Sequence, residues 1–120
     1  MDYIKSKIKY HQTILEKYIR NLANDYNTSL GSDGNYHAIV DLQTNHFQFS
    51  HIGWHNNEFS YHILFHLSIH STTGNIWILK NITEIELDLE LERTGNIPKN
   101  HIVLGDFPKI MREHSDYAIA

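Results

Sequence analysis

The strict alternation from Phe59 to Ile69 constrains the fold more than any other feature of the chain. Phe59, Tyr61, Ile63, Phe65, Leu67 and Ile69 stand at every second position, and residues two apart share one face of a β-strand. The segment is predicted as a strand with one continuous apolar face, and with His62, Leu64, His66, Ser68 and His70 opposite. Asn56-Asn57 just before it has the chemistry of a tight turn, so Phe47 to Ile69 reads as a hairpin. In its first arm Phe47 and Phe49 are in phase with each other, as are Ile52 and Trp54, but the two pairs are offset by one residue. A β-bulge at Ser50-His51 is predicted to repair the slip. Trp54 then lies opposite Phe59, Ile52 opposite Tyr61, Phe49 opposite Ile63 and Phe47 opposite Phe65, all on one core face. Gly53, between Ile52 and Trp54, permits close backbone approach or extra twist.

The flanking segments complete a domain. Asp2 to Tyr26 is predicted as an amphipathic helix, because Ile4, Ile8, Leu15, Ile19, Leu22 and Tyr26 recur at helical spacing with no proline or glycine between. Its lysines, mixed with Asp2, Glu16 and Asp25, read as a solvated face. Asn27 to Asn35 is a loop rich in Asn, Ser, Asp and Gly. Tyr36 to Leu42 is a strand with Ala38, Val40 and Leu42 inward, turning near Thr44-Asn45 so that Leu42 meets Phe47 and Val40 meets Phe49. Asn75 to Lys80 is a fourth strand with Ile76 and Ile78 inward. Trp77 and Leu79 fall on the outer face beside Leu64 and His66, and these four define a candidate interaction surface, covered by the C-terminal tail or by another chain. Asn81 to Thr94 carries both strand-like alternation and helix signals; a Thr83/Glu86 capping box and Gly95 at the C-terminal end select a helix. Pro98 opens a short helical turn, and Ile102-Val103-Leu104 is a short apolar segment before a polar tail. The expected fold is α+β: a four-stranded antiparallel meander with a long N-terminal helix and a second helix packed on one face, spanning residues 1–120 as one domain.

Composition narrows the chemistry. The absence of cysteine excludes disulfides, thiolate nucleophiles and Cys-ligated zinc. No apolar run approaches a membrane span and no charged leader precedes one, so a cytoplasmic protein is expected. A net charge of −4 with histidines neutral disfavours strong direct DNA binding. Ten histidines make that charge pH-sensitive below about 6.5. His51 and His62, brought together across the hairpin, are the best candidates for a metal or proton-transfer site. They lack an obvious third ligand, and His62, His66 and His70 lie ~13 Å apart in successive steps along a strand, too far to share an ion. Ser50 lies near both His51 and His62, and Asp106 is a lone turn carboxylate; neither forms a catalytic motif. No cofactor site and no catalytic residue is assigned, and the chain is read as a non-enzyme.

The ordered short motifs carry a family resemblance over nearly the full length. Ile52-Gly53-Trp54 ends one strand; Ile76-Trp77-Ile78 and Asn81-Ile82-Thr83-Glu84 follow; then come Ile97-Pro98-Lys99, Ile102-Val103-Leu104-Gly105 and a terminal Tyr117 to Ala120. This order resembles the XisI-like family of excision-controlling factors, small and mainly cyanobacterial proteins. The chain departs from the pattern by one extra residue in Gly95-Asn96-Ile97-Pro98, and by Gly105-Asp106-Phe107-Pro108 where the family often has a His-Pro pair. The resemblance implies a non-catalytic regulator of the excision of a DNA element, working through protein contact with a nuclease-like companion, XisH. Homodimerisation through the outer sheet face is a separate expectation. The competing reading is a histidine-based or metal-dependent enzyme near His51 and His62.

Overall fold

Five strands form one sheet in sequential order, and both longer helices pack on the same face of it. The computed structural model describes residues 2–120. Helix α1 (Asp2–Thr28) is followed by β1 (Tyr36–Asp41), β2 (His46–His55), β3 (Glu58–Ile69) and β4 (Ile76–Asn81). These four strands make the expected antiparallel meander. Helix α2 (Leu87–Gly95) follows the sheet, as the helix signals indicated. After a single 3-10 turn at Lys99–His101, β5 (Ile102–Leu104) adds to β4 in parallel, and α3 (Lys109–Arg112) precedes the tail. In sequence the fifth strand is only a short apolar segment. At three residues it is too short to show alternation, and its pairing depends on the α2 crossover.

The core lies between α1, α2 and the sheet. Leu15, Ile19 and Ala23 of α1 meet Phe47, Phe49, Phe65, Leu67, Ile69 and Ile76 of the sheet, with Leu87 and Leu91 of α2 closing one side. Phe49 stacks on Tyr36 with ring centres 5.6 Å apart and meets Tyr26 edge-on at 5.3 Å.

The hairpin register corrects the predicted one. Asn56 and Asn57 both have positive φ, 50° and 65°, as a two-residue I′ turn requires. Trp54 faces Phe59 and Ile52 faces Tyr61, as expected. The slip, however, is taken up in β3. Ser50 pairs with Ile63 and Phe49 with Phe65, so Leu64 is the extra residue. Because β2 runs through without interruption, Phe47 and Phe49 point to the core while Ile52 and Trp54 point away from it. Phe59, Tyr61 and Ile63 go with Ile52 and Trp54 to the outer face, and His62 goes to the helix side. Alternation reveals a phase slip but not which strand absorbs it. The β1 register is also displaced by two residues: Val40 pairs with Phe47 and Ala38 with Phe49, leaving Leu42 exposed in the turn. Asp41 organises that turn, accepting bonds from the Gln43 and Thr44 amides and the Thr44 hydroxyl.

Two local devices differ from their sequence signals. Thr83 and Glu86 make no capping box. The Thr83 hydroxyl instead donates to Asn81 Oδ1 at 2.6 Å and accepts from the Ile85 amide, while Asn81 Nδ2 donates to the Ile85 carbonyl. The Asn-x-Thr motif thus closes an Asx turn that feeds the chain from β4 into α2. At the other end of α2 the left-handed residue is Asn96, φ 53°, one place after Gly95. Gly95 is needed for space, since a Cβ there would lie 2.6 Å from Ile14 Cγ2.

Gly53 has φ +146°, and a Cβ on it would lie 2.5 Å from Asn35 Oδ1. Asn35 donates its amide to the Trp54 carbonyl at 3.1 Å, and its own carbonyl accepts from the Ile52 amide. Gly53→Ala is expected to cost about 1–3 kcal/mol through backbone strain and loss of this contact. Urea unfolding should show a lower midpoint with an unchanged slope.

Candidate functional site

The hairpin extends past the rest of the sheet. From Gly53 to Tyr61 the strand pairing is only between its two arms, since the backbone on the β1 side reaches β2 no further than Ile52 and β4 reaches β3 no further than Phe65. The radius of gyration, 15.2 Å, exceeds the ~13.6 Å of a compact domain of this length. On the outer face of this arm Trp54, Phe59 and Tyr61 are 69%, 52% and 68% exposed. Trp54 and Phe59 rings lie 5.2 Å apart, and Phe59 and Tyr61 rings 6.5 Å apart. Ile52 and Ile63 lie among them by register, with Ile39 on β1 along the same face. Large exposed aromatics on a segment without charged neighbours on that face have the composition of a protein interface core.

The interaction residues named from sequence lie farther along the sheet. Leu64, at the bulge, packs against the core, and its carbonyl accepts from the Ile82 amide. His66 pairs with His46 through ring nitrogens 2.9 Å apart; burial, then His46, holds the His66 pKa below its usual value. Trp77 stacks on His70 at 5.8 Å and lies under the Arg112 guanidinium at 5.1 Å. Gly105 sits on Trp77 and Leu79, where a Cβ would come within 2.9 Å of the indole. The C-terminal segment therefore covers this end of the outer face. It is pinned by Asn75 Nδ2, which donates to the Ala120 carbonyl, and by Tyr117, whose hydroxyl donates to Asp88 at 2.7 Å. Burial and that carboxylate push the Tyr117 pKa up to about 12.

On the helix side of the arm His51 stands directly across from His62, as predicted. Its ring is held elsewhere. His51 Nδ1 lies 2.5 Å from Ser60 Oγ, and Nε2 lies 2.7 Å from Asp33 Oδ2. With Nε2–H donating to Asp33, Nδ1 accepts the Ser60 hydroxyl proton, and no lone pair is left for an ion. His62 is exposed, and among the described residues no three His, Asp or Glu side chains are placed to hold a metal. Asp33 is also bonded by the Asn35 amide, the main reason its pKa falls below the usual carboxylate range, with His51 adding to it. The set ties the 31–35 loop to the hairpin. Sequence reasoning missed it: the two-residue turn makes Ser60 a diagonal neighbour of His51, but no local pattern brings the loop residue Asp33 to the ring.

These elements define a small α+β domain with a cluster of exposed aromatic side chains on one arm of its sheet. The chain belongs to the XisI family: the family model described as XisI protein matches residues 1–119. The crystal structure of a XisI-like protein from Anabaena variabilis is similar at 30% identity and TM-score 0.78, covering 94% of this chain and 99% of that one. A second, described as the fdxN element excision controlling factor XisI from the same organism, shares the fold at 24% identity and TM-score 0.71, covering 95% and 99%. No curated protein matches the chain. No helix among the described residues is long and apolar enough to cross a membrane.

Proposed function

We propose that this protein is a regulatory factor of the XisI kind, without a catalytic role, acting in the control of DNA-element excision by binding another protein, the companion expected being XisH-like. The exposed Trp54, Phe59 and Tyr61 face of the projecting hairpin carries this reading. Fully desolvating such aromatics is the commonest source of interface hot spots. Leu64, His66, Trp77 and Leu79 border the same face, with the C-terminal segment laid over the Trp77 end as its rim. The net charge of −4, with acidic Glu90 and Glu92 on α2, disfavours direct capture of a phosphate backbone.

The line Asp33–His51–Ser60 favours a second reading, a histidine-based enzyme with Ser60 as nucleophile, because it has the order of carboxylate, imidazole and hydroxyl. One experiment tests the first reading. The full chain is co-expressed with the genomically adjacent XisH-like protein and purified through a tag on that partner. Wild type and Ser60→Ala should co-purify, while Trp54→Ala/Tyr61→Ala should not. Capture of wild type and both variants alike would refute the aromatic face as the docking surface.

A further inference from the structure

Strand β1 forms one edge of the sheet, and its backbone is capped at both ends but open in the middle. In a strand the N–H and C=O of one residue point to the same side, and successive residues alternate. The Asn35 carbonyl accepts from the Ile52 amide, so Asn35, His37, Ile39 and Asp41 address β2. Tyr36, Ala38, Val40 and Leu42 therefore address the open side. Two of these four are covered by α1. Asn27 takes both Tyr36 groups, its Oδ1 accepting the amide at 2.9 Å and its Nδ2 donating to the carbonyl at 2.8 Å. Gln12 Nε2 donates to the Leu42 carbonyl at 3.1 Å. Among the described residues no side chain reaches the N–H and C=O groups of Ala38 and Val40, which stand as a short gap between the two caps.

We infer that this gap is filled by the β1 strand of a second copy of the chain, paired antiparallel about a two-fold axis at Ile39. In that register Ala38 lies opposite the second copy's Val40, and Val40 opposite its Ala38. Each pair exchanges two hydrogen bonds, so the four open groups of Ala38 and Val40 all find partners. In the next pair outward, Tyr36 with Leu42, three of the four groups are already bonded, both of Tyr36 by Asn27 and the Leu42 carbonyl by Gln12. The side chains agree with the same axis. His37 comes opposite the carboxylate of Asp41, and Ile39, 44% exposed, meets its own copy on the axis.

The helix above reinforces the register. Gln12 and Asn27 mark the stripe of α1 that overhangs β1, and at 100° per residue Glu16, Arg20 and Ala23 fall on that stripe. Glu16 and Arg20 form an exposed pair at 3.0 Å. Across the two-fold axis the Glu16 of one copy approaches the Arg20 of the other, so two like helices present opposite charges to each other. A foreign strand could also fill the gap, but these pairings are self-complementary only for a second copy.

The test is equilibrium sedimentation of the full chain, with amide exchange at Ala38 and Val40 read over the same concentrations. Wild type should pass from 14.1 kDa to twice that mass. The Ala38 and Val40 amides should slow at least about tenfold as dimer forms, the factor that a tenfold shift in the pairing equilibrium gives. Ile39→Lys, which places like charges on the axis at an exposed position, and Ala38→Pro, which removes one edge N–H, should both stay monomeric. Far-ultraviolet circular dichroism of Ile39→Lys should match wild type. Trp54→Ala should still dimerise, which keeps this inference separate from the partner surface above. A wild-type mass of 14.1 kDa at all concentrations would overturn it. So would a dimer that survives both edge variants, or one that Trp54→Ala abolishes.

Discussion

Phe49→Ala is expected to cost about 3–5 kcal/mol, enough to remove a large part of the stability of a domain this size. Phe49 has no exposed surface, and it is the point where β1, β2, β3 and α1 meet. Tyr36, Tyr26 and Phe65 all contact its ring, with centres 4.9 to 5.6 Å apart within this cluster. Alanine leaves a cavity that these three rings, fixed on separate elements, cannot close. Urea unfolding of wild type and variant at pH 7 gives the difference directly. A loss below about 1 kcal/mol would mean that the cluster relaxes and the assigned core is wrong.

The second large effect is a loss of stability in mild acid. His11 is 2% exposed, with Nδ1–H donating to the Gly74 carbonyl at 2.8 Å. Burial lowers its pKa to about 4, against the bond to Gly74, and the nearby His101 and Lys7 charges lower it further. In the unfolded chain the same imidazole protonates near 6.5. Between these values the unfolded state binds the extra proton, so stability is intact above about pH 6.5 and falls as pH drops towards 4. The window corresponds to a contribution on the order of 3 kcal/mol. His11→Gln, whose amide can still donate to Gly74, should flatten this part of the profile. An unchanged slope in the variant would show that other groups cause the acid loss.

How much of this was legible in the sequence depended on the range of the interaction. The 27-residue helix and the meander followed from periodicity, because solvent on one side and core on the other impose it directly. The family motifs proved to be local devices: Asn81 and Thr83 shape a turn, Gly53 makes room for Asn35, and Tyr117 and Ala120 anchor the tail. The bulge was legible as a phase slip, but its assignment to Leu64 depends on which strand can yield. That choice moved Trp54, Phe59 and Tyr61 from the expected core to solvent. Sequence alternation alone could not show this, since an apolar face reads the same whether a helix of the same chain covers it or a partner does. Asp33 was hidden for a different reason: a loop carboxylate reaching an imidazole 18 positions away leaves no periodic trace.

On the proposed function, the projecting aromatic face binds a protein partner. Calorimetric titration of the purified chain with the XisH-like protein, comparing wild type with Trp54→Ala/Tyr61→Ala, tests it most directly. Wild type should bind saturably, and the variant at least about 100-fold more weakly, as expected when two central aromatics are truncated. Equal affinity for both proteins, or no binding by wild type, would contradict it.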